Sequence, residues 1–151
     1  MIRSLNEKES YKLLEVNYIG HLAYIFDNKP FVVPITYYFD TEKNVIIGYS
    51  AKGHKVTAMR RNSSVSLEVS EIDSVNDWKS VLVHGTYEEL ENTEATARIH
   101  DFSLGVKDLI VNKEQRKLDF ISQFSSKIYK DDFPIVFHIN IESITGKLRL
   151  L

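Results

Sequence analysis

Between Val45 and Val69 the sequence reads VIIGYSAKGHKVTAMRRNSSVSLEV, an order of residue types that dictates strand, glycine loop, short basic helix and strand. Val45, Ile46 and Ile47 have the character of a buried strand, and Gly48 and Gly53 loosen the backbone that follows. His54, Lys55, Arg60 and Arg61 bring donors to the helix. Backbone N–H groups at a helix start, with a lysine beside them, form a site for an anion such as phosphate. A nucleoside triphosphate loop would need lysine directly after the second glycine and then Ser or Thr for magnesium. This chain has His54, Lys55 and Val56 there. A polar turn capping a basic surface helix explains the same segment equally well, so the rest of the chain has to decide.

At 151 residues with 43% hydrophobic side chains, the chain fits a single domain spanning residues 1–151. A formal net charge of -2, with no clustered basic face, argues against nucleic acid as a partner. Cysteine is absent, which removes disulfides, thiolate metal sites and cysteine nucleophiles from consideration. No apolar run approaches the length of a membrane span, and none follows Met1 as a secretory signal would, so a cytoplasmic, non-membrane protein is expected.

Asn6 followed by Glu7 and Glu9 predicts a capped helix over 7–16, with Tyr11, Leu13 and Leu14 on its buried side. Two strand-like runs then follow, YIGHLAYIFD and FVVPITYYFD, joined by a DNKP turn into a hairpin. A polar turn over 40–44 leads into the Val45 strand. Val65, Leu67 and Val69 alternate with Ser66, Glu68 and Ser70, the period of a half-buried strand, and residues 78–91 continue in the same way. Asn92 or Thr93 caps a helix to about Val111, and a further helix is expected over 114–122. Pro134 opens a last strand with Ile135, Phe137, Ile139 and Ile141 on one face; 71–77 and 125–132 read as surface loops. The pattern is mainly β with helices, α+β in class, with six antiparallel strands most simply closed as a small barrel.

Other chemistries find little support. The five histidines, His21, His54, His84, His100 and His138, show no HExxH spacing, and no metal site is expected. No GxSxG nucleophile elbow occurs, and no catalytic residue can be named. Lys127 and Lys130 beside Asp131 and Asp132 read as a solvated charged loop.

Taken together, the first helix, LAYIFDNKPFVVPITYYFD, GYSAKGHKVTAMRRNSSVSLEV, WKSVLVHGTYEEL and SITGKLRL resemble, in order and spacing, the pyridoxamine 5'-phosphate oxidase-like split-barrel flavoproteins. The closest likeness is to the branch that includes nitroimidazole-resistance proteins. The resemblance covers nearly the whole chain and implies FMN as cofactor. It places Ser50, Lys52, Gly53, His54 and Lys55 at the FMN phosphate, with Lys55 as the family's phosphate lysine and His54 where an arginine often sits. An imidazole titrates near neutrality and a guanidinium does not, so this contact carries a pH dependence.

By the same resemblance, Pro34, Ile35 and Thr36 lie along the flavin ring, and Trp78 and Ser80 approach it from another strand. Read without it, Thr36 is an ordinary β-branched strand residue, and a lone Trp78 serves as a core or interface anchor. Pro34 lacks a ladder donor and belongs at an edge or bulge, where a ligand can lie. In pyridoxamine phosphate oxidases proper, the hairpin carries basic residues where Val33 and Tyr38 stand here, which argues against vitamin B6 conversion. The resemblance implies a homodimer with FMN at its interface and an oxidoreductase acting on a small molecule, with NAD(P)H a candidate electron donor. A non-catalytic flavin-binding or redox-sensing module and a haem-binding split barrel are the alternatives; the haem form would need an axial ligand from the scattered histidines.

Overall fold

A computed structural model describes residues 1–114 and 133–151. Helix α1 (Glu7–Val16) starts as its sequence dictates: Asn6 accepts from the Glu9 amide, and the Glu9 carboxylate accepts from the Asn6 amide. Strands β1 (Ile2–Ser4), β2 (Ile19–Phe26), β3 (Lys29–Thr36), β4 (Tyr38–Asp40) and β5 (Val45–Ser50) precede helix α2 (His54–Arg61). The chain continues with β6 (Ser64–Ser74), β7 (Asp77–Glu89), helix α3 (Asn92–Glu114) and β8 (Ile135–Arg149). The strands form one antiparallel sheet in the order β3-β2-β6-β7-β8-β5-β4, with β1 on the far end of β8.

Eight strands therefore stand where six were expected. Strand β1 is three exposed residues with no alternating pattern, held by its register on Lys147–Arg149. Strand β4 is split from the hairpin at Tyr37, whose fully buried ring donates its hydroxyl to the Leu14 carbonyl of α1. The expected loop over 71–77 is instead the end of β6, a two-residue turn and the start of β7. The hairpin turn is likewise tighter than DNKP: Asp27 and Asn28 alone turn the chain, with φ of 51° and 61°, and Pro30 lies within β3. Helix α3 runs past the expected end near Val111 to Glu114, and the remainder of the helix expected over 114–122 and the charged loop at Lys127–Asp132 lie outside the described residues.

The inner face of the sheet packs Leu22, Tyr24, Val65, Leu67, Val69, Val81, Val83, Phe137 and Ile139 against Leu13 and Leu14 of α1 and Ala58 and Met59 of α2. A second core lies on the opposite face of β5 and β8. There Ala95, Ile99, Phe102, Val106 and Ile110, spaced at helical intervals along α3, cover Val45, Ile47 and Val136. Strand β8 is thus buried on both faces along its first half, which puts His138 under α3 at 5% exposure.

His138 Nε2 has no partner among the described residues, and Nδ1 lies 3.7 Å from Glu88. Burial, reinforced by Arg98, holds its pKa below the ordinary 6.5 against the opposing pull of Glu88, Glu94 and Asp40. The unfolded chain therefore binds the proton more readily than the fold, and stability present above about pH 6.5 falls as the pH drops below it. Urea unfolding at a series of pH values checks this: His138→Asn is expected to flatten the acid-side decline, and an unchanged profile would contradict the assignment.

Candidate flavin site

Loop and helix meet at the mouth of the barrel. Gly53 is the N-cap of α2, with no side-chain cap, and the first helical hydrogen bond is Thr57 N–H to the Gly53 carbonyl. The amides of His54, Lys55 and Val56 point out of the helix start, and the macrodipole adds partial positive charge there. Lys55 is half-buried beside them and makes no ion pair or hydrogen bond with a described residue. Ser50 is buried and donates to the Ala51 carbonyl at 2.7 Å, while Lys52 and Gly53 are exposed. No atom lies within 4 Å of a Cβ built on Gly53, so the loop is open for a ligand to approach.

Each loop glycine acts differently from the sequence expectation. Gly53 has φ 177°, extended backbone that any residue adopts. Gly48 is inside β5, and its missing Cβ makes room for the Phe137 ring, 2.6 Å from where that atom would be. Arg60 and Arg61 sit at the far end of α2, Arg60 chelating Glu89 at 2.8 and 3.1 Å and Arg61 lying 5.3 Å over the Phe26 ring. The donors at the helix start are therefore His54, Lys55 and the backbone.

The His54 ring is turned onto the hairpin. Its Nδ1 meets the Tyr24 hydroxyl at 3.0 Å, and its edges pack on Phe26 and Phe31 at centroid distances of 4.7 and 4.9 Å. Nε2 is left for an outside partner. Tyr24 and Phe31, paired in register and stacked at 5.5 Å, form the platform beneath it. Sequence reading missed this pair, although a two-residue Asp27–Asn28 turn makes Tyr24 and Phe31 direct cross-strand neighbours.

From Phe31, strand β3 leads to Pro34 and Thr36, three and five residues on, or about 10–17 Å. Strand β3 ends the sheet, so its outer backbone edge has no strand partner among the described residues. Pro34 sits on that edge, as a residue without an N–H should. Pro34 and Thr36 are directly opposite His21 and Ile19 on the outer face of the sheet, whereas the Ile35 side chain packs onto the inner core and offers only its backbone outward. Trp78 and Ser80 belong to the same outer face, since Glu68 pairs both His21 and Leu82. Three strand spacings separate them from β3, about 14 Å within one protomer. His54 thus joins the loop to the β2–β3 hairpin, while Trp78 and Ser80 are not brought together with them within the chain.

Between these groups the outer face carries Ile19 at 56% exposure and Val32 at 62%, with Ile25 and Leu82 also exposed. Two polar pairs cross it, His21 Nδ1 to Glu68 at 3.1 Å and His84 Nδ1 to the Ser66 hydroxyl at 2.7 Å. No group of three or more His, Cys, Asp or Glu suited to a metal ion occurs among the described residues, and no described helix is long and apolar enough to cross a membrane.

This architecture is that of a split barrel, and comparison with known proteins agrees. A family model for pyridoxamine 5'-phosphate oxidase matches residues 6–119, and the chain belongs to that family. The uncharacterized protein RA0666 of Rhizobium meliloti (strain 1021) is 36% identical over 105 residues, 68% of each chain. A FAD-binding protein (mll6688) from Mesorhizobium loti superposes with a TM-score of 0.72 at 28% identity, covering 98% of both chains. A candidate 5-nitroimidazole antibiotic resistance protein from Bacteroides thetaiotaomicron VPI-5482 shares the fold at a TM-score of 0.67 and 13% identity, over 98% of this chain and 89% of the other.

Proposed function

We propose that the protein is a flavoprotein that holds the phosphate of FMN or FAD at the start of α2 and acts as a flavin-dependent oxidoreductase. One observation carries this reading: a helix start with no side-chain cap, where half-buried Lys55 has no partner among the described residues, is joined through His54 and Phe31 to the β3 edge on which Pro34 lies. The FAD-binding relative from Mesorhizobium loti supports the ligand class. A bound flavin supplies the hydride or electron transfer. Lys55 and the three amides neutralise the phosphate, with His54 Nε2 adding a donor whose tautomer Tyr24 sets. The backbone of Ile35 and Thr36 reads the ring edge. No side-chain acid or base is assigned, so NAD(P)H as donor and a nitro-aromatic acceptor of the nitroimidazole class fit a site that only binds and orients. A cytoplasmic setting, where a reduced nicotinamide is at hand, goes with this reading.

Purified protein titrated with flavin, then mixed with NAD(P)H, tests both parts. Saturable quenching of flavin fluorescence supports the site, and bleaching of the bound flavin separates an oxidoreductase from a module that only binds or senses.

Charge at position 54 gives a finer check. His54→Glu places a carboxylate at the phosphate and is expected to weaken flavin binding more than His54→Gln does, by roughly 1 kcal/mol or more. Equal affinities in fluorescence titrations would mean that the ring serves only the Tyr24 platform.

The exposed Ile19, Val32 and Leu82, and the 14 Å between β3 and Ser80, support a two-fold homodimer in which Trp78 and Ser80 of one protomer meet the β3 edge of its partner. Such pairing should bury more than about 1,000 Å². Sedimentation of the flavin-loaded protein at micromolar concentration is expected to give the dimer mass; monomer mass at full flavin occupancy would contradict the shared site.

A further inference from the structure

The hairpin continues past the phosphate loop, and so does the row of groups suited to a nucleotide. We propose that a cleft at the β2–β3 turn takes the adenosine half of FAD, so that this chain holds FAD in preference to FMN. The inference rests on the flavin reading above and deepens it. Along the open edge of the hairpin the order is Thr36 and Pro34, facing outward, then Phe31 under His54 on the inner face, then Phe26 and the turn, so a ligand following it rounds the β3 edge between Pro34 and Phe31. An extended dinucleotide that starts with its ring at Pro34 and passes His54 arrives there.

A cleft of about 360 Å³ opens at this place, lined by Ile25, Phe26, Asp27, Asn28, Arg61 and Asn62. Phe26 touches both ends of α2, the His54 edge at 4.7 Å and the Arg61 guanidinium at 5.3 Å, over a helix rise of about 10 Å. Arg61 is exposed and pairs with no described carboxylate, unlike Arg60 beside it, which Glu89 engages. A planar cation over an aromatic ring is a platform for a purine. Asn62 accepts the Ser64 amide through Oδ1 at 3.1 Å, leaving its amide nitrogen as a donor toward the cleft, and Asp27 offers an acceptor for ribose hydroxyls. FMN leaves all of these groups unused.

Fluorescence titration of FAD and FMN against the wild type, Arg61→Gln and Arg61→Lys tests the assignment, with Phe26→Ala as a second probe of the platform. Arg61 is exposed, so its variants should fold normally. The wild type is expected to bind FAD about tenfold or more tighter than FMN, and ADP should compete with FAD. Arg61→Gln should remove most of the preference while leaving FMN affinity in place, and Arg61→Lys, which keeps the charge but loses the plane, should also reduce it. Equal wild-type affinities for the two flavins, or a parallel loss of both in Arg61→Gln, would overturn the proposal. A wild type that binds neither flavin overturns the flavin reading itself and this inference with it.

Discussion

Lys55→Ala is expected to weaken flavin binding by about 1.5–3 kcal/mol, roughly ten- to a hundredfold in Kd. Lys55 is half-buried in the first turn of a helix that has no side-chain cap, and it makes no ion pair with a described residue, so an arriving phosphate would meet a cation not already engaged by a described carboxylate. Removing that charge leaves the amides and His54 Nε2 to hold the anion. The fold should be indifferent, because no described residue depends on Lys55 for a hydrogen bond or ion pair. The loss should shrink as salt rises, since the wild type loses more to screening than the variant does. Wild-type affinity in Lys55→Ala at every salt concentration would move the phosphate elsewhere.

The largest expected effect on the fold is at Gly85. Strands β7 and β8 slip register between His84 and Gly85, and the bulge draws the backbones close there. A Cβ at position 85 would stand 2.5 Å from the Asn140 carbonyl oxygen and 2.7 Å from Ile139 Cγ2. The carbonyl cannot rotate aside as a side chain would, so the longest ladder of the sheet must shift. Gly85→Ala is expected to cost about 3 kcal/mol in urea unfolding, at the upper end for overpacking in a core. A variant with an unchanged midpoint would mean that the two strands yield more freely than a bulge in mid-ladder should.

How legible all this was depended on the range of the interactions involved. Helix α1 was readable to the residue because Asn6 and Glu9 satisfy each other three positions apart. Val65, Leu67 and Val69 announced β6 because one face of it meets water. Strand β8 announced only half of its burial. The apolar Val136 and buried His138 on its second face have meaning only once α3 lies across them, a contact no local period reports. Strand β1 was invisible for the same reason, since three exposed residues become a strand through pairing with the other end of the chain.

At the candidate site, the loop leading into a short helix at His54 was legible, and so was Pro34 as an edge residue, but the parts the two glycines play were not. What the loop rests on was not. Tyr24, Phe26 and Phe31 become the platform of His54 only through the register of a two-residue turn, and a turn drawn over four residues, 27–30, hides that pairing. Strand alternation alone separates the face of Pro34 and Thr36 from the inward Ile35. Strand order then sets Trp78 and Ser80 three strands, about 14 Å, from β3, a separation that no local pattern in the sequence reports.

Identification of what the purified protein carries is the most direct test of the central claim that the α2 start and β3 edge form a flavin site. Denaturing release followed by chromatography and visible spectroscopy is predicted to yield FAD or FMN, or an apoprotein that takes up one of them to about one per chain. A protein that binds neither, or one that shows the Soret band of haem in place of flavin bands, would contradict the account.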